Sequence, residues 1–179
     1  MQAVIAYPED LFAAPPAAGA AWSCLRTKPR SEKRFAAWLT GRRAPHFLPT
    51  IQRLTRSHRR VRQTLAPLFP GYLFVEGEPT KGDFKGATWL VDVVPATSEQ
   101  RRALPAELWR IHQALASGSP LELVSELQPG EPVEVVAGAM KGVVGQFQRW
   151  GKKGRLVLWV ELLGAGAAVE IDESCVARF

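Results

Sequence analysis

Long apolar runs are missing from this chain. No stretch reaches the roughly 18 consecutive apolar residues that a membrane-spanning helix needs, so a membrane role is not expected. Cysteine is scarce too: Cys24 and Cys175 stand alone near opposite ends. Two isolated thiols make neither a disulfide framework nor a clustered metal site, and no metal or other cofactor is expected. A reducing, cytoplasmic setting fits that usage. The first 21 residues lack lysine and arginine but contain Glu9 and Asp10, which excludes a secretory leader with a basic start. Residues 1–20, rich in alanine and proline, read as a flexible arm. Catalytic groupings are also lacking. His46, His58 and His112 are scattered, no serine or cysteine has a base beside it, and the glycines fit neither a P-loop nor a dinucleotide fingerprint. An enzyme is not expected.

The most informative shortage is of acids. From Trp22 to Val75 there are twelve Lys/Arg residues and one acid, Glu32, whereas from Glu126 onward six basic residues face seven acidic ones. A basic front and a near-neutral back imply two modules, the first meeting a polyanion. Solubility alone does not call for eleven net positive charges in 54 residues, and nucleic acid is the favoured partner.

The pattern along the chain gives an α+β protein. Trp22–Lys28 alternates as a strand and stops at Pro29. Ser31 is placed to cap a helix in which Phe35 and Leu39 face a core. Arg34, Trp38 and Arg42, four apart, form one stripe of that helix. The stripe has two readings: a phosphate-contacting, base-stacking edge, or a helix edge with a half-buried tryptophan. His46–Thr55 reads as a strand. The acid-free run Arg53–Gln63 contains Arg53, Arg56, Arg59, Arg60 and Arg62, and reads as a projecting hairpin tip or loop whose guanidinium groups suit phosphates.

Pro67–Val75, PLFPGYLFV, follows as the returning strand. Strand alternation puts Tyr72 and Phe74 on one face and Leu73 and Val75 on the other. A further strand is expected at Trp89–Val94 and a capping box at Thr97–Gln100. Pro105 is expected to break or restart the helix that carries Leu104, Leu108, Ile111 and Leu115. Residues 117–130, with their proline and glycine punctuation, read as a linker. From 131 to 179, short Val-rich strands at 132–137, 143–148, 155–162, 167–171 and 175–178 alternate with glycine turns, a small-barrel pattern.

Four pieces in this order resemble the NusG family of transcription elongation factors, and within it the RfaH-like antiterminator paralogues. They are WSCLRTKP at Trp22–Pro29, FLP at Phe47–Pro49, PLFPGYLFV at Pro67–Val75 and PGEPVEVVAGAMKGVVGQF at Pro129–Phe147. The resemblance implies an N-terminal antiparallel sheet flanked by helices over 21–116 and a small KOW (SH3-like) β-barrel over 131–179. It implies docking of bacterial RNA polymerase, at the clamp of its largest subunit, by Phe47, Leu48, Phe69, Pro70, Gly71, Tyr72 and Phe74. Phe69, Tyr72 and Phe74 would then line an exposed apolar surface. It implies contact with non-template or upstream DNA through Lys28, Arg34, Trp38 and Arg42, beside the hairpin arginines. Ala139, Met140, Lys141 and Phe147 match the segment through which relatives reach a ribosomal protein or Rho. The expected outcome is a monomeric antitermination factor. A housekeeping factor coupled to Rho or the ribosome, and a KOW-type RNA-binding protein, are the alternatives.

Overall fold

A computed structural model describes residues 5–17, 19–57, 60–126, 128–150 and 153–179, with the backbone alone at 55–57, 60–61, 150 and 153. Three sheets and two helices make up this part of the chain. The first sheet contains β1 (Ile5–Tyr7), β2 (Trp22–Thr27), β3 (His46–Leu48), β6 (Tyr72–Glu76) and β7 (Leu90–Val93). Its antiparallel order is β1-β3-β6-β2-β7, so the PLFPGYLFV strand runs through the centre. A two-stranded hairpin, β4 (Thr50–Ser57) and β5 (Arg60–Pro67), projects between β3 and β6.

Each face of the first sheet is covered by a helix. Pleating sends Leu25, Leu73 and Val75 toward α1 (Glu32–Gly41), where they pack with Phe35, Ala36, Leu39 and Leu48. The opposite face presents Trp22, Cys24, Phe47 and Phe74 to Phe12 and to Leu104, Leu108 and Ile111 of α2 (Ser98–Ala116). Phe35, Phe47 and Phe74 retain no exposed surface. Full burial of such a side chain contributes about 1.5–3 kcal/mol. Burial also pushes the Cys24 thiol well above its ordinary pKa.

The second sheet holds β8 (Leu121–Val124), β9 (Glu131–Val135), β10 (Val144–Trp150), β11 (Lys153–Val160), β12 (Ala165–Ile171) and β13 (Val176–Arg178) in the order β13-β9-β10-β11-β12-β8. The sequence-derived strands lie where expected, but the sheet does not close. Among the described residues no pairing joins the edge strands β13 and β8, so the structure holds an open six-stranded sheet rather than a closed barrel. Its packed face carries Val133, Val135, Phe147, Leu156, Leu158 and Val169. Glycines make that packing possible. A Cβ on Gly154 would stand 2.5 Å from the Phe147 ring, and one on Gly145 would stand 2.8 Å from Leu156.

Several expectations are corrected. The arm is anchored: Ile5–Tyr7 pairs with β3, and Phe12 stacks on Trp22 and His112. Residues 117–130 are not a bare linker, because Leu121–Val124 pairs with β12. Pro105 does not break α2, which runs unbroken through it. Ser31 stands at the helix start, but its hydroxyl makes no capping bond. Thr97 and Gln100 do form the reciprocal box, at 3.2 and 3.0 Å.

The modules share a core. Beyond the exposed Ser98 and Glu99 of its first turn, only Arg102 and Ala116 of α2 are exposed, because the second sheet packs on the helix side away from the first sheet. One cluster of buried apolar residues runs from Trp22 and Phe74 through Leu108 and Ile111 to Leu156 and Val160. Leu162 and Leu163, in the 3-10 turn Glu161–Leu163, pack against the same cluster. No described helix is long and apolar enough to cross a membrane.

Candidate nucleic-acid and partner-docking surface

The Phe69–Tyr72 turn owes its shape to Gly71 and Glu32. Gly71 has φ +86°, a left-handed conformation that a side chain would strain. Its N–H donates to the Glu32 carboxylate at 2.7 Å. Glu32, the lone acid of the basic front, is buried in the first turn of α1 and so ties that helix to the turn. The sequence reading missed this role. An isolated acid in a basic stretch was the available signal.

The apolar part of the turn is not free. Phe69 is 2% exposed and sits edge-on to the fully buried Phe74 at 6.2 Å. Phe47 and Leu48 are likewise fully buried. The expected exposed surface of Phe69, Tyr72 and Phe74 therefore reduces, in this conformation, to a rim. Tyr72 is half-buried, Gly71 is partly accessible and Pro70 is exposed. The cause is α2, whose Leu104–Ile111 stripe occupies the face that Phe74 shares with Cys24 and Phe47.

The basic residues divide into two groups. On α1, Arg34 and Arg42 are exposed and Trp38 is half-buried. The Arg42 guanidinium lies 3.9 Å from the Trp38 ring centroid, a cation–π contact. Trp38 also packs obliquely on Phe35 and Phe84. The stripe is a basic edge whose tryptophan belongs partly to the core. Arg42 covers one face of the ring, and a base stacking on that face would have to displace it. Lys28 is exposed at the end of β2.

On the hairpin, Arg53 pairs with Thr64 and Arg62 with Thr55, so the two exposed arginines share a face. Arg53–Gln63, read as a tip or loop, is largely paired strand up to Ser57 and from Arg60. Arg59 and His58 lie outside the described residues, and Arg56 and Arg60 are described by backbone position only.

In the second sheet, Ala139 and Lys141 are exposed on the turn between β9 and β10. Met140 and Phe147 are 7% and 4% exposed and belong to the core, which corrects their expected place on a contact surface. The turn needs its glycines: Gly138 and Gly142 have φ of +85° and +87°. Gly142 N–H donates to Val135 at 2.7 Å.

A buried carboxyl marks the seam between the modules. Glu107 of α2 accepts the Glu161 N–H at 3.2 Å through Oε1, and its Oε2 has no protein partner among the described residues. Burial pushes its pKa up to about 7, opposed by the Glu161 N–H and reinforced by the Glu161 charge. Burial also lowers His112, which stacks on Phe12 at 4.7 Å. Among the described residues no cluster of histidine, cysteine and acids could hold a metal.

Residues 20–108 match the family model described as transcription termination factor nusG. This chain carries a NusG-family domain. That family is one of transcription factors, and the matched span runs from just before β2 to the middle of α2. No curated protein matches the chain in sequence. Among solved structures, the chain is similar to one titled "Domain interaction in Thermotoga maritima NusG", at 13% identity and a TM-score of 0.41, covering 89% of this chain and 97% of that one. It is also similar to a structure titled "Crystal Structure of MjSpt4:Spt5 complex conformation B", at 21% identity and a TM-score of 0.25, covering 88% and 95%. Both scores are low, and the family assignment rests on the family model alone.

Proposed function

We propose that the protein is a transcription elongation and antitermination factor of the RfaH-like kind. It binds the clamp of bacterial RNA polymerase and nearby DNA, and it suppresses pausing and termination. The observation that carries this reading is the family match over residues 20–108, with PLFPGYLFV on the central strand of the matched domain. Tyr72, Pro70 and Gly71 are the accessible contact points for polymerase. Engagement of Phe47, Phe69 and Phe74 requires α2 to shift, whereas Leu48 lies under α1. Lys28, Arg34, Arg42 and the hairpin arginines supply cations for DNA. A factor that binds the closed, moving state of the enzyme better than the paused state shifts the population toward it. No covalent step is involved. The second sheet then acts as a KOW-type module, with Ala139 and Lys141 on the turn available to a ribosomal protein or Rho.

In vitro transcription through a terminator, with and without Rho, tests the reading. The expected result is increased read-through that Tyr72→Ala abolishes together with capture of core polymerase. Retention of polymerase binding by that variant counts against the docking assignment. The description of the matched family favours a second reading, promotion of termination. Enhanced Rho-dependent release in the same assay would establish it.

A further inference from the structure

Beside the Gly71 turn lies an open groove of about 870 Å³, bounded by the start of α1, the base of the hairpin and the turn itself. Its size falls within the roughly 300–1,000 Å³ of ligand-binding clefts. Arg30, Lys33 and Arg53 line it, with Glu32 as the single carboxylate. Neither the resemblance nor the basic stripe on α1 points to Arg30 or Lys33.

We propose that this groove binds the backbone of a single-stranded nucleic acid. The proposal deepens the DNA-contact reading above and rests on it. Three features support this occupant. First, the positive charge is not neutralised from within. The Glu32 carboxylate is buried and turned to the Gly71 N–H. Lys33 donates to the neutral Leu65 carbonyl, which fixes the ammonium without cancelling it. Among the described residues neither Arg30 nor Arg53 forms an ion pair.

Second, Arg30 is held at φ +60° in the turn where Ser31 N–H donates to Lys28. A left-handed backbone is uncommon for a residue with a side chain. Here it belongs to the turn that brings Arg30 into the lining of the groove, which Arg53 also lines. Third, the groove is amphipathic. Pro29, Leu65 and Pro67 add apolar surface to the same lining. That combination suits a chain whose charged phosphates alternate with flat, weakly polar bases, and it suits a bare inorganic anion poorly. Arg53 also belongs to the exposed hairpin face with Arg62, so one strand can run from hairpin to groove.

The test is fluorescence anisotropy of the full chain with a fluorescein-labelled oligothymidylate, repeated across a range of KCl concentrations. Arg30→Gly removes the guanidinium and suits the left-handed turn, so the variant should fold; near-UV circular dichroism checks that. The expected result is a several-fold loss of affinity and a log–log salt slope flatter by about one, with Arg30→Lys recovering most of both. Arg62→Ala separates this proposal from the broader one. Unchanged binding by Arg30→Gly, with weaker binding by Arg62→Ala, overturns the groove and leaves the hairpin reading intact. Unchanged binding by both overturns both. A labelled glutamate-rich peptide that loses affinity with Arg30→Gly, while the oligonucleotide does not, overturns the choice of occupant in favour of an acidic protein segment.

Discussion

Two carboxylates illustrate how single residues in this chain reach beyond their own elements. Glu32 holds the Gly71 N–H. Glu32→Ala leaves that donor without its acceptor, at a cost of about 1–3 kcal/mol, and frees the turn that carries Phe69 and Tyr72. A lower thermal midpoint for the alanine variant, with most of the loss recovered by Glu32→Gln, is the expected result. Glu107 acts through its proton. Its folded pKa of about 7 lies above its ordinary 4.5. Between those values the folded state holds a proton that the unfolded chain has released, so stability falls as pH rises. The contribution is complete below about pH 4.5 and lost above about pH 7. It is on the order of 3 kcal/mol at most. Glu107→Gln keeps an oxygen for the Glu161 N–H and has no charge to bury. Calorimetry should therefore show wild type losing stability relative to Glu107→Gln from pH 5 to pH 8, and equal pH profiles would refute the assignment.

Among the elements, those with a strong local signal were legible in the sequence. Alternation located β2, β6 and β7, helical spacing located α1, and glycine-punctuated valines located the strands of the second sheet. The misses have physical causes. Pro105 gives up one backbone hydrogen bond, but burial of its neighbours Leu104 and Leu108 on both sides holds α2 together. Ile5–Tyr7 is too short to show a period and needs β3 to become a strand. Leu121–Val124 likewise depends on β12. The burial of Phe74 was illegible because alternation says which side chains share a face, and a helix some thirty residues later decides whether the face is covered. The breadth of apolar positions on α2, Ala106 and Trp109 beside the leucine stripe, was the available sign of a second covering layer. The role of β8 is measurable. Circular dichroism of fragment 117–179 should show a β spectrum, as the valines and glycines disfavour helix. Fragment 126–179, without β8, should lose stability through an unpaired β12 edge. A mostly helical spectrum from the longer fragment would contradict the account.

For the whole molecule, the seam around α2 decides whether the two modules behave as one body. A helix exposed, beyond its first turn, at only Arg102 and Ala116 cannot lose the second sheet without uncovering apolar surface. The modules should therefore unfold together, because opening the seam alone exposes Leu162, Leu163 and part of the Trp109 ring to water. Tryptophan fluorescence and far-UV circular dichroism should follow one coincident transition in urea. Glu107→Arg then provides the discriminating case. It removes the acceptor of the Glu161 N–H and forces a longer side chain into the packed seam, and both the unmade hydrogen bond and the overpacking are unfavourable. The first sheet keeps its cover of Leu104, Leu108 and Ile111, while the second sheet loses its attachment. The expected result is two separated transitions and faster proteolysis between α2 and β9. If Glu107→Arg still unfolds in one step with an unchanged midpoint, the seam is not what joins the modules, and the covering of α2 by the second sheet would have to be energetically neutral.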